Sequence, residues 1–184
     1  MRMTGLILLA ALAAPAANAV EYQTVLPKQS TIHFEFRQMG VPIKGGFKRF
    51  TTQMAFDPAR PEAARAQIEI DLASIDAGSP EADDESAGKL WFDRSVYPKA
   101  TFVSSQVRAL GNNRYEMRGT LTLKGRSREM IVPVTFSPGN KAAVFDGAFV
   151  LRRLDFGIGE GMWADVATVA NEVQVKFRIA ATGD

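Results

Sequence analysis

Residues 112–125 read NNRYEMRGTLTLKG, and their alternation decides the fold. Tyr115, Met117, Leu121 and Leu123 take every other place, while Arg114, Glu116, Arg118, Thr120 and Thr122 occupy the places between. Successive side chains of an extended chain point to opposite faces, so this segment is a strand with one apolar and one polar face. Asn112-Asn113 before it and Lys124-Gly125 after it supply turn chemistry, which predicts hairpins at both ends. Met130, Val132, Val134 and Phe136 then form the inward set of the next strand.

The same period of two recurs outward in both directions. Ile32, Phe34 and Phe36 alternate with His33, Glu35 and Arg37, and Ile68, Ile70 and Leu72 alternate with Gln67, Glu69 and Asp71. Phe145, Phe149 and Leu151 follow the turn Pro138-Gly139-Asn140, and a last strand carries Val169, Val173, Val175, Phe177 and Ile179 against polar neighbours. Between the first two segments, an unbroken strand from Gly45-Gly46-Phe47 to Phe56 would put Phe50, Met54 and Phe56 on one face. With Ala100–Leu110 added, the chain holds about eight strands of this kind.

An antiparallel meander left flat would expose two edges, which barrel closure removes. The expected fold is therefore all-β: an eight-stranded antiparallel lipocalin-like barrel with a short capping helix, a two-sheet sandwich being the alternative. At this strand number the interior is either filled by side chains or houses one small ligand. Two segments interrupt the strands. Asp57-Pro58 to Ala64 is predicted to hold a short helical turn, and Pro80 to Phe92 to be a loop leading into a short helix that caps the barrel.

At the N-terminus, Arg2 precedes a short apolar run that ends in Ala17-Asn18-Ala19. This is the pattern of a signal peptide, so residues 1–19 are expected to be removed and residues 20–184 to form one domain in the periplasm. The sequence has no cysteine, so stability in an oxidising compartment would come from packing, and thiol chemistry, cysteine-based zinc sites and lipid attachment to a cysteine are excluded. The net charge of +2 is small and the charges are interspersed, which gives no electrostatic footprint for nucleic acid.

Catalytic constellations are missing. His33 is the only histidine and lies on a polar strand face, so neither a Ser-His-Asp triad nor a multi-histidine metal site assembles. The acidic run Glu81, Asp83, Asp84 and Glu85 lacks the spacing and central glycine of a calcium loop, and suits a helix N-terminus. Gly157, Gly159 and Gly161 alternate in a stretch that predicts a tight loop with close backbone approach. Lys124, Arg126 and Arg128 cluster at a turn, where they form either a solvated hairpin or an anion-attracting patch.

Large inward groups suit an apolar ligand better than a reaction. Phe34, Phe36, Phe56 and Phe102, with Tyr115 and Leu121, are candidates to line a ligand tube from one group of strands. Val132, Phe149 and Phe177 are candidates from the others, and Trp91, Phe92 and Trp163 are candidates for its mouth, where a large ring closes over a ligand while its N–H stays wet. Ordinary core packing is the competing account of each.

Several stretches together resemble the YceI-like family, described as lipid- or polyisoprenoid-binding proteins of the bacterial periplasm. They are Gly46-Phe47 with Phe50 and Phe56-Asp57-Pro58, Ile70-Asp71 with Ser74-Ile75-Asp76, and Trp91-Phe92-Asp93 with Tyr97-Pro98 and Thr101-Phe102. Gly119 to Leu123 with Gly125, and Arg153 with Asp155-Phe156-Gly157-Ile158, continue the series at family-like spacing. The resemblance covers nearly the whole chain. It implies a barrel holding a long isoprenoid or other fatty amphiphile, with no cofactor and no turnover. Where members often carry histidines this chain has Gln38 and the triplet Glu85-Ser86-Ala87, so its ligand is open to difference at the head group. The stretches 78–85 and 159–165 are similar to a branch that accompanies membrane cytochrome b-type oxidoreductases, which implies a quinone as ligand and such a protein as partner. Three functions therefore compete: a carrier of isoprenoid lipid or quinone, a non-enzymatic accessory partner of a membrane redox complex with a filled barrel, and a lipid-acting enzyme. The carrier is favoured, and the oligomeric state, a dimer included, is left open.

Overall fold

The computed structural model describes residues 20–183, so the predicted signal peptide, 1–19, lies outside the described residues. Eleven strands form one antiparallel sheet: β1 (Tyr22–Val25), β2 (Thr31–Gln38), β3 (Val41–Phe47), β4 (Phe50–Ala55), β5 (Arg65–Asp71) and β6 (Ile75–Asp76), then β7 (Lys99–Gly111), β8 (Arg114–Leu123), β9 (Arg126–Ser137), β10 (Ala143–Arg152) and β11 (Glu172–Gly183). Among the described residues one α-helix, α1 (Pro80–Ala87), and several single 3-10 turns, one of them at Pro61–Ala63, interrupt them.

The strand count reconciles with eight because two long strands are kinked and β1 lies off the ring, paired to β11. β3 and β4 are separated only by Lys48 and Arg49, and β5 and β6 only by the single turn Leu72–Ser74. The two kinked strands pair along both halves, β4 with β5 and β3 with β6. From β5 the ladders run through β7, β8, β9, β10 and β11 to β2, and β2 pairs β3, which closes the ring. β1 adds to β11 and bridges the end of β4 through Tyr22 and Phe56, whose backbone groups exchange hydrogen bonds of 2.8 and 3.1 Å.

The unbroken strand expected from Gly45 to Phe56 is therefore corrected to two. Ser74 makes the break: its carbonyl accepts from the Lys48 N–H at 3.0 Å and its hydroxyl from the Arg49 N–H at 2.9 Å. The turn residues act as anticipated. Asn112 and Asn113 have φ of 52° and 57°, and Lys124 and Gly125 have 48° and 70°, the paired positive values of hairpin turns that match strand twist.

Along its length the barrel has two unlike halves. In one, Tyr22, Phe56, Tyr115, Phe136 and Phe145 meet with ring centroids 5.1–6.5 Å apart, mostly edge to face, and plug the interior. Val107, Met117, Val132, Val134 and Ile179 complete this core. The other half is covered by α1 and the segment after β10, and there the interior is not filled.

Candidate ligand site

Under the cap lies an apolar cavity of about 540 Å3. Its walls are built by β2 and by the cap-side ends of strands that also fill the plug. From β2 come Ile32, Phe34 and Phe36, from β11 Val173 and Val175, from β10 Phe149 and Leu151, and from β8 Leu121 and Leu123. Phe34, Val175 and Phe149 stand in register across three neighbouring strands and form one continuous wall. The Phe34 ring lies over Gly45 of β3, where a Cβ would strike it, so this glycine lets the ring turn flat against the sheet.

The cap has two parts clasped together. Ser79 caps α1 by accepting from the Ala82 N–H at 3.2 Å, Pro80 occupies the first turn, and Gly88 ends the helix. The helix therefore precedes the tight turns that carry Trp91 and Phe92, the reverse of the loop-then-helix order expected from the sequence. The second part runs from Arg153 to Val169. Leu90 accepts from the Gly159 and Glu160 N–H groups at 2.8 and 2.9 Å, and Trp163 Nε1 donates to Glu85 Oε1 at 2.9 Å. The rings of Trp91 and Trp163 meet at 5.6 Å.

Arg153 organises this second part. It is 2% exposed, and all of its side-chain hydrogen bonds go to backbone carbonyls. Nε donates to Ala170 at 3.0 Å, Nη1 to Ile158 and Gly159 at 2.8 Å each, and Nη2 to Trp163 at 2.7 Å and Val169 at 2.6 Å. Those five bonds match the five donors of a guanidinium. Its carbon lies 5.8 Å from the centre of the Trp91 ring, close enough for a cation–π contribution. Burial lowers the pKa of the group from its ordinary value, yet an arginine stays a cation at physiological pH.

Gly159 sits against this guanidinium with φ of 72°; a Cβ there would collide with Arg153 Nη1 and stand 3.2 Å from the Trp91 ring. Gly159→Ala is expected to cost about 1–2 kcal/mol from the left-handed backbone alone, with the collision added. Thermal unfolding that leaves the midpoint unchanged would contradict this placement.

The basic cluster at the β8–β9 turn is an exposed hairpin, as one of the two expectations had it, and it also braces the cap. Lys124 Nζ donates to the Gly157 carbonyl at 2.7 Å and pairs with Glu160 at 3.1 Å, Arg126 pairs with the same carboxylate at 2.8 Å, and Arg128 donates to the Asp155 carbonyl at 3.1 Å. The Lys124 bond, with the charges of Lys124 and Arg126, holds the Glu160 carboxyl below the usual range. A carboxyl of this sign stabilises the fold above its unfolded pKa, and the contribution is lost as pH falls through the lowered folded value.

Seven of the twelve residues proposed from the sequence come together at the cavity: Phe34, Phe36, Trp91, Phe92, Leu121, Phe149 and Trp163. Phe56, Tyr115 and Phe177 surround a small void of about 60 Å3 in the plugged half, while Phe102 and Val132 are buried in the core. Alternation alone placed Val173 and Val175 inward, and both line the cavity although they were not among the twelve. Ile70 and Leu123 were likewise inward and unselected. Among the described residues no group of three or more His, Cys, Asp or Glu side chains could hold a metal ion, and no helix is long and apolar enough to cross a membrane.

A closed eight-stranded barrel, plugged at one end and hollow beneath a cap at the other, defines a lipocalin-like architecture. The chain belongs to the YceI-like family: the family's YceI-like domain matches residues 23–181. A UPF0312 protein of Vibrio cholerae is 31% identical over 170 residues, which span 86% of this chain and 90% of its own. The crystal structure of Burkholderia cenocepacia BcnA superposes with a TM-score of 0.84 at 43% identity, over 86% of this chain and 99% of that one. A polyisoprenoid-binding domain from Saccharophagus degradans has the same fold, with a TM-score of 0.67 at 14% identity over 91% of this chain and all of its own.

Proposed function

We propose that this chain is a periplasmic carrier that encloses the tail of a long isoprenoid lipid or similar amphiphile, a quinone among the candidates, without chemical turnover. The observation that carries the reading is the open apolar space of about 540 Å3 in a barrel whose other half is tightly plugged. That volume lies within the roughly 300–1,000 Å3 of small-molecule sites. A void of this size forfeits dispersion contacts when empty, a cost that an apolar occupant would offset. Each methylene moved from water into such walls contributes about 0.8 kcal/mol, so affinity should rise with tail length. The periplasm is inferred from the signal-peptide pattern of residues 1–19, and a membrane cytochrome b-type partner from the branch resemblance of residues 78–85 and 159–165. The open space also weighs against a filled barrel that serves only as a partner protein.

Native mass spectrometry of the mature protein purified from periplasm, followed by organic extraction, tests the reading. An adduct that releases a prenylated molecule is expected. A bare polypeptide mass that stays unchanged after incubation with prenyl alcohols and quinones would overturn it.

A further inference from the structure

The cap end of the barrel carries an exposed apolar rim that neither the core nor the cavity uses. Met39 and Met162 are the two most exposed large apolar residues described, at 77% and 76%, and Val41 and Val166 are exposed beside them. Two loops bring the four together. Met39-Gly40 is the turn between β2 and β3, and the Met39 N–H donates to the Thr168 carbonyl at 2.9 Å, next to the bridge between Gln38 and Val169. Met162 and Val166 lie in the loop 160–168 that leads into this bridge.

Met39 is out of place by local rules. Its φ is 49° and that of Gly40 is 80°, the paired positive values of a two-residue hairpin turn, which favours asparagine at the first place. The turns at Asn112-Asn113 and Lys124-Gly125 carry polar side chains at such positions. A methionine here serves neither the turn nor the core, and a residue that breaks a local rule without a packing reason points to a functional surface.

The rim also flanks the way into the cavity. Of the residues that line the cavity, only Gln38, Ser79, Glu81 and Glu85 are exposed, so its mouth lies between the end of β2 and α1. Gln38 adjoins Met39, and Glu85 accepts at 2.9 Å from the indole of Trp163, which adjoins Met162. Charge then selects what the rim can meet. The segments 37–41, 79–90 and 161–169 carry Arg37 and Lys89 against Asp165 and the four acids of α1. That acidic excess repels an anionic lipid surface, which leaves insertion of apolar side chains as the means of attachment. A second copy of the chain seated here would seal the mouth.

We propose that this rim is a membrane-docking surface: Met39, Val41, Met162 and Val166 insert into the interface of an electrically neutral phospholipid bilayer and set the cavity mouth against it. The docking rests on the carrier reading in one respect, because a lipid passing from bilayer to protein avoids water only where the mouth meets the bilayer.

The test is flotation of the mature protein with phosphatidylcholine vesicles, with and without phosphatidylglycerol. The parent chain is expected to float with phosphatidylcholine, to stay bound in added salt, and to gain nothing from the anionic lipid. Met39→Asn with Met162→Gln should lower the partition at least about tenfold. The same variant should unfold at an equal or higher temperature, since asparagine suits the turn, and calorimetry should show its affinity for geraniol, a short prenyl alcohol supplied without vesicles, unchanged. Ile131→Thr removes an apolar group that is 50% exposed on the barrel wall and should leave the partition as it was. A parent chain that does not float, that floats only with phosphatidylglycerol, or that floats as well as its double variant overturns the docking surface while carriage stands. Self-association that the double variant abolishes, seen by sedimentation in a chain that does not float, assigns the rim to a second copy and overturns the bilayer. A chain that floats as expected but takes up no geraniol overturns the carrier reading and leaves the docking surface in place.

Discussion

Replacing Arg153 with lysine is expected to unfasten the cap and lower global stability by about 3–5 kcal/mol, despite conserving the charge. The native guanidinium reaches five carbonyls, those of Ile158, Gly159, Trp163, Val169 and Ala170, from a site that is 2% exposed. An ammonium has three donors on one atom and cannot span positions spread over thirteen residues of chain. At least two buried carbonyls would lose their partner, each at a cost of roughly 1–3 kcal/mol. The cap has an alternative, which is to open and solvate them, so local opening sets the upper limit of the loss. Urea unfolding gives the global figure. Amide exchange then separates the two responses, since opening should expose the N–H groups of Gly159 and Glu160, now bonded to Leu90, while the β8–β9 ladder stays protected. A loss below about 1 kcal/mol, with exchange unchanged, would mean that Arg153 does not organise the cap. Arg153→Met should be at least as damaging, because it leaves all five carbonyls unpaired.

The strands were legible because one face of each is buried, and burial writes a period of two into the sequence. The hairpins after β7 and β8 were legible because Asn112-Asn113 and Lys124-Gly125 tolerate the positive φ that such turns demand. The kink between β3 and β4 was not. Nothing at Lys48-Arg49 resembles a breaker, and the break is made from a distance by Ser74, which lies beyond the next turn. Arg153 was noted in the family resemblance, but its role as a hub was equally hidden. The residue follows Arg152, which is exposed, and only the path of residues 158–170 around it makes one guanidinium a hub and its neighbour a surface charge.

The site was half legible for a related reason. Alternation distinguishes inward from outward but carries no information about height along the barrel. Phe149 and Phe145 share a strand and both point inward, yet Phe145 is packed in the plug and Phe149 borders open space. The cavity-lining aromatics are only half-buried, whereas Phe56 and Tyr115 are 6% and 7% exposed, because the former face a space that no side chain fills. That difference comes from the sum of volumes at each level. Several strands contribute to it, and no single stretch of sequence records it.

Filling that space from one wall should separate ligand capture from folding. Val175 lies in the middle of the Phe34–Val175–Phe149 row, with its side chain on the cavity. Val175→Trp would project an indole into about 540 Å3 of open volume, so the usual overpacking cost of about 1–3 kcal/mol should be largely avoided. New apolar contact makes unchanged or slightly raised stability the expected result. Binding should respond in the opposite direction. An indole that displaces four or five methylenes of a tail removes about 3–4 kcal/mol of transfer free energy, a loss of several hundredfold in affinity. Titration of a prenyl alcohol into the variant measures the loss, and thermal unfolding checks the fold. Phe145 lies on the plugged side, so Phe145→Leu serves as the contrast: it should lower stability with little effect on affinity. If Val175→Trp binds the alcohol as tightly as the parent chain, the tail does not lie against this wall and the carrier reading loses its principal support.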